Sequence, residues 1–265
     1  LLTPLWIKKC KQIGMLWEDM NKVNKEKKVA SSGGVVVIMA FVLGVLFYLA
    51  IRTFLIENTN GINQQIFASL TTILILGIVG FVDDVFGWQY GGLSKRFRIF
   101  LCLFASIPLI VINAGVHTII LPLLGVVSLG LLYPLVFIPI GIVGATTTYN
   151  FLAGFNGLET GQGILILGFL SFISYTQGFP WLAIVGLCMV FSLIGFYFYN
   201  RYPAKVFPGD ILTYSVGALI AIMAILGNFE KIAVFIFIPY ILETILKIRG
   251  GLNKHCFGKT NPDGS

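Results

Sequence analysis

The chain has 265 residues, of which 57% are hydrophobic and 11% are charged, and its mean hydropathy is +0.92. Because a soluble domain usually carries about 25% charged residues, this chain has too little polar surface to cover itself in water, and a soluble fold is excluded. The formal net charge of +7 does not indicate nucleic acid, since the basic residues lie between apolar stretches. That pattern is typical of membrane topology signals and of contact with anionic lipid headgroups.

Eight stretches approach the roughly 20 apolar residues that span a bilayer, so we predict an all-α, polytopic helix bundle. The predicted spans are residues 35–56, 66–82, 97–113, 134–149, 161–176, 181–199, 211–228 and 232–247. A further apolar stretch, residues 116–132, is interrupted by Pro122, Gly125 and Gly130, and we expect a hairpin or a partly inserted segment on the outer side. The sequence has no evident internal repeat, which argues against transporters built from paired halves.

The loop charges are strongly asymmetric across these spans. With residues 1–34 on one side, every lysine and arginine except Arg52 and Lys231 falls at or near that side. Cytosolic loops carry an excess of lysine and arginine, so this side is expected to face the cytosol. Ionisable groups near the membrane are costly unless they are paired, hydrated or bound to metal. Four acids of this kind lie beside helix ends on the same side, where we expect the chemistry: Asp83, Asp84, Glu159 and Asp210.

The segment GFVDDVFG, residues 80–87, places two adjacent carboxylates at the end of the second predicted span. Adjacent side chains do not face one direction along a regular helix. At a frayed helix end, however, Asp83 and Asp84 could both reach a metal, a lysine or a substrate proton. A solvated helix end whose acids pair with Lys95 or Arg96 explains the spacing equally well.

The segment TTTYNFLAGFNGLETGQG, residues 146–163, sets Asn150, Asn156 and Glu159 among glycines. Glycine lets the backbone approach a ligand closely. Asparagine offers donors and an acceptor that suit a nucleobase edge, and its carbonyl oxygen can bind a hard cation. The alternative is an ordinary turn, in which asparagine and glycine are common. The length of the segment favours a functional loop.

Two further segments on this face carry polar residues. In YNRYPAKVFPGD, residues 199–210, prolines stiffen the loop, Phe207 offers an aromatic face, and Asp210 begins the next span. An acid at a helix N-terminus also serves simply to offset the helix dipole. Residues 17–34 supply Asp19, Asn21, Lys22 and a run of lysines, which alone indicate only a basic cytosolic loop.

In this order, the segments DMNK, GFVDD, NFLAGFNGLE and VFPGD and a basic last loop resemble the polyprenyl-phosphate N-acetylhexosamine-1-phosphate transferases, the glycosyltransferase 4 family. The segment NFLAGFNGLETGQ is most similar to the eukaryotic and archaeal branch of this family. The resemblance covers nearly the whole chain and implies a single transmembrane catalytic domain over residues 1–265. Full-length members have about ten helices, so we expect one to be missing at each end.

The resemblance implies transfer of GlcNAc-1-phosphate from UDP-GlcNAc to dolichyl or another polyprenyl phosphate, with release of UMP. This is the first step of lipid-linked oligosaccharide synthesis for protein glycosylation. Another UDP-amino sugar, such as UDP-MurNAc-pentapeptide or UDP-GalNAc, is the alternative, and a membrane transporter is a more distant one. The implied cofactor is Mg²⁺, which Mn²⁺ could replace. A homodimer in the lipid bilayer is compatible with the family, in the cell membrane of a prokaryote or the endoplasmic reticulum of a eukaryote.

The resemblance also implies roles for individual residues, according to their positions in the matching segments. The resemblance gives catalytic roles to Asp83, Asp84 and Arg98, the last where the family usually has lysine, and makes Asn150 and Asp210 the metal ligands. Asn156 would read uracil, Phe207 would stack on it, and the Met20 backbone would also meet the base. The full set of implied substrate contacts is Met20, Asn21, Lys22, Lys95, Asn156, Glu159, Phe207 and Arg249.

Three positions depart from the family pattern. Gly87 stands where asparagine is usual, Ala30-Ser31-Ser32 lacks the glutamate that helps to shape the amino-sugar pocket, and the late histidine motif is only vaguely matched around Lys247, Arg249 and His255. For the aspartate pair, we hypothesise that Asp83 orients or deprotonates the lipid phosphate. In that hypothesis Asp84 holds a basic partner or the metal shell.

Overall fold

The computed structural model describes residues 2–19, 28–56, 61–121 and 125–251. The helices are α1 (Leu2–Ile13), α2 (Gly34–Ile51), α3 (Ile62–Tyr90), α4 (Lys95–Ala105), α5 (Ile107–Val111), α6 (Ile138–Phe151), α7 (Leu158–Thr176), α8 (Pro180–Asn200), α9 (Asp210–Gly227), α10 (Glu230–Ile236) and α11 (Ile238–Arg249). Single π-helical turns extend α2 over Arg52–Ile56 and precede α6 over Tyr133–Phe137. The strands are β1 (Leu16–Glu18), β2 (Lys28–Ala30), β3 (Thr118–Leu121) and β4 (Gly125–Ser128).

Six helices of the described residues are long and apolar enough to cross a membrane: Gly34–Leu55, Ile62–Tyr90, Tyr133–Phe151, Leu158–Thr176, Pro180–Asn200 and Asp210–Gly227. The protein is therefore an all-α integral membrane protein, as predicted, but the count of eight spans is wrong. The predicted spans 97–113 and 232–247 are each divided, at Ser106 and at Phe237. Pro108 and Pro239 follow these breaks, and proline removes the backbone donor that would continue the helix.

Helix α9 lies at the centre of the bundle. Every residue from Ile211 to Gly227 is buried, and the helix packs against α3 and α6. Close approach depends on glycine: a Cβ on Gly80 of α3 would lie 2.5 Å from the Asp210 carbonyl oxygen. On the other side, a Cβ on Gly217 would lie 2.7 Å from the Ala145 carbonyl oxygen of α6. The central helix therefore brings the ends of α3 and α6 to its own first residue.

Helix α3 continues well past the predicted end at residue 82. It stays helical to Tyr90 and stops at Gly91, whose φ of 85° is the left-handed conformation that glycine adopts at helix ends. Asp83 and Asp84 therefore lie within a continuous helix, and the expectation of a frayed helix end is wrong. Adjacent positions on a helix point apart, so each of the two carboxylates has its own surroundings.

Two short hairpins lie outside the helices. Strands β1 and β2 pair antiparallel, with Leu16 opposite Ala30, and Ala30 also forms a parallel bridge to Val206. Strand β2 thus contacts the loop that precedes α9. Strands β3 and β4 pair antiparallel, with Thr118 opposite Ser128. This confirms a hairpin, not a span, within residues 116–132.

Candidate active site

One cavity of about 660 Å³ opens where the ends of α3, α6, α7 and α9 meet the β1–β2 hairpin. Five of the predicted site residues lie on its wall: Asp84, Asn150, Glu159, Phe207 and Asp210. They come from four helices and one loop. Aromatic side chains add broad apolar surface to the same wall, namely Trp17, Trp88 and Phe155. The cavity therefore combines flat apolar walls with several carboxylates, as a site for a polar ligand with an aromatic part would.

Asp84 supports the first turn of α9. One carboxylate oxygen accepts a hydrogen bond from the Asp210 backbone N–H at 2.7 Å, and the other lies 3.4 Å from the Ile211 nitrogen. The first N–H groups of a helix have no partner within the helix, and negative charge is favourable there. Gly209 makes room for this contact: its φ is +75°, and a Cβ would lie 2.3 Å from Asp84 Oδ2.

Asp83 is buried where α3 meets α4 and α9. It forms an ion pair with Arg98 of α4 at 2.7 Å and accepts a hydrogen bond from the Leu93 N–H at 2.8 Å. The Tyr214 hydroxyl on α9 donates to it at 3.4 Å. The arginine therefore pairs with Asp83 and not with Asp84. This corrects the first alternative for Asp84, a basic partner, while the second, a place in the metal shell, stays a prediction. Among the described residues, this ion pair is made by Arg98 and not by the neighbouring Arg96.

Asp210 and Asn150 both face the cavity, as the metal assignment requires. Asp210 lies within electrostatic reach of Asp84, Asp83 and Arg98, so the carboxylates outnumber the guanidinium here. In the described parts of the chain, no three His, Cys, Asp or Glu side chains are arranged to hold a metal by themselves. One carboxylate and one amide oxygen still fit Mg²⁺, which normally takes few protein ligands and completes its shell with water and phosphate oxygens.

Two hydrogen bonds order the α6–α7 loop. The Asn156 side-chain amide donates to Asp19 Oδ2 at 3.0 Å, which joins this loop to the end of β1. Glu159, which is 5% exposed, accepts from the Gly154 N–H through Oε1 at 2.8 Å. Its Oε2 is buried without a hydrogen-bond partner among the described residues. Glu159 thus lies in the first turn of α7, not in a loop, and holds the glycine backbone of the cavity wall.

The Phe207 loop is anchored by backbone hydrogen bonds to the segment before α2. The Phe207 N–H donates to the Ala30 carbonyl at 2.7 Å, and Gly33 N–H donates to the Phe207 carbonyl at 2.9 Å. Asn200, which is fully buried, donates through Nδ2 to the Val206 carbonyl at 2.9 Å and accepts from the Thr160 hydroxyl at 2.7 Å. These contacts hold the backbone on both sides of Phe207, and they therefore fix the position of its phenyl ring relative to Asp210.

The remaining predicted residues lie away from this cavity or outside the description. Met20, Asn21 and Lys22 are outside the described residues. The described residues that do not lie on the wall are Asp83, Lys95, Arg98, Asn156 and Arg249, of which Lys95 and Arg249 are exposed at helix ends. The sequence analysis named Asp19 only as part of a basic loop and gave it no role at the site, and it did not single out Trp17, Trp88 or Tyr214. The sequence signal for Asp19 was its position directly before Met20, which was a predicted substrate contact. Trp17, Trp88 and Tyr214 carried no such signal.

Comparison with known sequences shows which protein family the chain belongs to. The sequence model of glycosyl transferase family 4 matches residues 66–228, more than half of the chain. The chain belongs to this family. The matched segment contains Asp83, Asp84, Asn150 and Asp210, while the β1–β2 hairpin and α11 lie outside it.

Individual members of the family cover more of the chain. A Sulfolobus acidocaldarius protein with the provisional name UDP-N-acetylglucosamine–dolichyl-phosphate N-acetylglucosaminephosphotransferase is 35% identical over 271 residues, 100% of this chain and 79% of its own. The Dictyostelium discoideum enzyme of that name is 30% identical, covering 89% of this chain and 65% of its own. A phospho-N-acetylmuramoyl-pentapeptide-transferase of Streptococcus pyogenes is also 30% identical, covering 91% and 73%. This family member is therefore a membrane-embedded phospho-sugar transferase.

Proposed function

We propose that the protein transfers GlcNAc-1-phosphate from UDP-GlcNAc to dolichyl or another polyprenyl phosphate, with release of UMP, and that it needs Mg²⁺. The observation that carries this proposal is the cavity itself. Asp210 and Asn150 share its wall with Phe207, so the two proposed metal ligands and an aromatic face line one space. The names of the archaeal and Dictyostelium relatives favour UDP-GlcNAc and dolichyl phosphate as the substrates.

The chemical obstacle is the approach of two anions. A lipid phosphate oxygen forms a new bond to the sugar-bound phosphorus, the bond from that phosphorus to the bridging oxygen breaks, and UMP leaves with the electron pair. Such transfers depend mostly on positioning and on neutralising charge. Mg²⁺ held by Asp210 and Asn150 would neutralise charge on the diphosphate oxygens. The lipid phosphate needs no strong base, because its second pKa is expected to be about 6.

The chain's own groups place the reactants. Asp84 holds the backbone at the start of α9, so the Asp210 side chain is directed to the cavity. Asp83 holds Arg98, whose positive charge acts on the acidic cluster. We assign Arg98 to attracting the incoming lipid phosphate. Because Asp83 is occupied by Arg98, Leu93 and Tyr214, we assign it a positioning role in place of deprotonation.

We further propose that the cavity faces the cytosol. All lysines and arginines except Arg52 and Lys231 belong to segments at or near the cavity end of the predicted topology. Positive charge is retained on the cytosolic side of membrane proteins. A cysteine-accessibility assay at Lys95 and at Lys231 in sealed membranes tests the orientation, because the two positions should label from opposite sides.

A second candidate reaction uses the same chemistry on UDP-MurNAc-pentapeptide. The Streptococcus relative favours it, at lower identity than the archaeal relatives. Ser31 lies on the cavity wall and belongs to the segment that lacks the glutamate of the family pattern, so the family match alone does not fix the sugar. The two reactions differ only in the sugar and share UMP release.

The deciding experiment measures UMP release and radiolabelled lipid product across UDP-GlcNAc, UDP-GalNAc and UDP-MurNAc-pentapeptide, with polyprenyl phosphate in detergent. We expect turnover with UDP-GlcNAc, its loss on chelation by EDTA, and its return with Mg²⁺. Asp210→Ala should lose activity at least about 100-fold, with Glu243→Gln on α11 as the control. Undiminished turnover in EDTA or in Asp210→Ala would remove the metal site.

A further inference from the structure

The proposed metal ligand Asn150 lies in the last turn of α6, one residue before the helix ends at Phe151. The last carbonyl groups of a helix have no partner within it, so a final turn keeps its direction only where other contacts hold it. The chain leaves the helical conformation directly afterwards, at Leu152, whose ψ is 71°. The direction of the Asn150 side chain therefore depends on what anchors this turn.

Tyr149 supplies an anchor of this kind. Its side chain is fully buried and does not lie on the cavity wall. The Tyr149 hydroxyl donates to the backbone carbonyl oxygen of Glu159, in the first turn of α7, at 2.5 Å. A carbonyl oxygen has two lone pairs, so it can accept this bond in addition to one within α7. Because successive side chains are turned by about 100° around a helix, holding Tyr149 against α7 also sets the direction of Asn150.

The surroundings of the Tyr149 ring leave it one position. A Cβ on Gly163, one turn after Glu159, would lie 3.0 Å from the hydroxyl oxygen, so even an alanine there would press on it. The ring stacks on Tyr240 of α11, with centroids 5.2 Å apart and planes at 16°. Tyr240 is held in turn by donating to Gln162 Oε1 of α7 at 2.6 Å. Stacked and hydrogen-bonded aromatic rings of this kind make a rigid anchor.

We propose that Tyr149 is a positioning residue, which directs Asn150 into the cavity by fastening the last turn of α6 to the first turn of α7. This inference rests on the proposed function, because it takes Asn150 as a metal ligand. The same turn of α7 carries the Glu159 carboxylate, which accepts from the Gly154 N–H at 2.8 Å. One helical turn thus holds both the end of α6 and the glycine backbone of the cavity wall.

Asn150 needs such support more than Asp210 does. The amide offers one neutral oxygen, whereas a carboxylate attracts a cation over a longer distance. Mg²⁺ demands nearly ideal octahedral geometry, so a small rotation of the amide weakens its hold on the ion. Loss of the Tyr149 hydroxyl should therefore raise the metal concentration that the protein needs, while the fold is kept.

The test compares Tyr149→Phe with Tyr240→Phe. Both changes keep the aromatic stack and remove a buried hydroxyl that bonds to α7, but only Tyr149 adjoins Asn150. Binding of Mn²⁺ is measured by electron paramagnetic resonance with UDP-GlcNAc present and no lipid phosphate, so that no transfer takes place. A sample without protein gives the background. The dependence of UMP release on Mg²⁺ and the unfolding temperature are measured on the same proteins.

We expect Tyr149→Phe to raise the Mn²⁺ concentration for half-saturation about tenfold, in the range found when groups that orient metal ligands are removed. Its UMP release should return towards the wild-type rate at high Mg²⁺. Tyr240→Phe should keep the wild-type affinity for Mn²⁺ even where it lowers the unfolding temperature. Should Tyr149→Phe not fold, Gly163→Ala takes its place, because the added methyl presses on the same hydroxyl and should shift Mn²⁺ binding in the same direction.

The outcomes separate this inference from the proposed function. Wild-type affinity for Mn²⁺ in Tyr149→Phe overturns the positioning role. An equal loss of affinity in Tyr240→Phe also overturns it, because that result assigns the effect to packing of the whole aromatic stack. A wild-type protein that binds no Mn²⁺ above background and keeps its turnover in EDTA overturns the metal site of the proposed function itself.

Discussion

Asp84 accepts a hydrogen bond from the backbone N–H of Asp210 at 2.7 Å, across 126 positions of the chain. The contact joins the cavity end of α3 to the first residue of the central helix. A carboxylate here both satisfies orphan helix donors and opposes the positive end of the helix dipole. The second aspartate of the pair thus sets the position of the proposed metal ligand without having to bind the metal.

Removing this support should cost both stability and activity. In Asp84→Ala the Asp210 and Ile211 N–H groups lose their acceptor, and we expect the free energy of unfolding to fall by about 2 kcal/mol. A small displacement of Asp210 should lower kcat about 100-fold. Thermal unfolding and UMP release measure the two effects. Asp84→Asn keeps an acceptor and should recover more of the stability than of the turnover. Wild-type kcat in both variants would contradict this role.

The Asp83–Arg98 pair gives a second prediction. Arg98→Ala leaves a carboxylate with 2% side-chain exposure beside α9 without its cation. Unpaired buried charge is strongly destabilising, and because Arg98 itself is 26% exposed we expect a loss of about 2 kcal/mol, less than for a fully buried pair. Arg98→Lys should restore part of both stability and turnover. The control is Arg96→Ala, an exposed position on the same helix, and an equal loss there would refute a specific role for Arg98.

The sequence predicted the cavity residues best where a residue type suited to the reaction stands at a helix end or in a loop on the predicted cytosolic side. Asp210 begins α9 as the apolar pattern predicted, and Asn150 and Phe207 lie on the same wall as it. The divided spans also had a local signal, because Pro108 and Pro239 each remove a helix hydrogen bond. Treating these stretches as continuous spans by apolar length alone missed that signal.

The surroundings of the aspartate pair could not be inferred in the same way. The partners of Asp83 include Arg98 nearby in sequence and Tyr214, which is 131 positions away. Which carboxylate receives the arginine depends on the rotation of α3, and a long apolar helix carries little periodicity to fix that rotation. The Asp19–Asn156 contact is likewise a product of tertiary packing between two loops that show no common pattern.

Phe207 should act on binding more than on chemistry. Stacking of a base on an aromatic ring contributes about 1–3 kcal/mol, so Phe207→Ala is expected to raise the KM for UDP-GlcNAc about tenfold or more with a smaller change in kcat. Initial rates over a range of UDP-GlcNAc concentrations measure the split. Phe198→Ala on α8, an exposed phenylalanine that does not line the cavity, should leave KM unchanged. An unaltered KM in Phe207→Ala would remove the ring from the base subsite.

Two glycines of α2 separate a general helix effect from a site effect. A Cβ on Gly34 would lie 2.7 Å from the Leu212 backbone nitrogen, so Gly34→Ala must displace α9 or the loop whose Pro208 carbonyl accepts the Gly34 N–H. On Gly44, one Cβ contact is the Cys188 sulfur at 3.4 Å, an ordinary van der Waals distance. Alanine is favoured over glycine within a helix by about 1 kcal/mol, so Gly44→Ala should be neutral or stabilising. Gly34→Ala should lower both the unfolding temperature and UMP release, and equal behaviour of the two variants would show that close packing at Gly34 does not position the site.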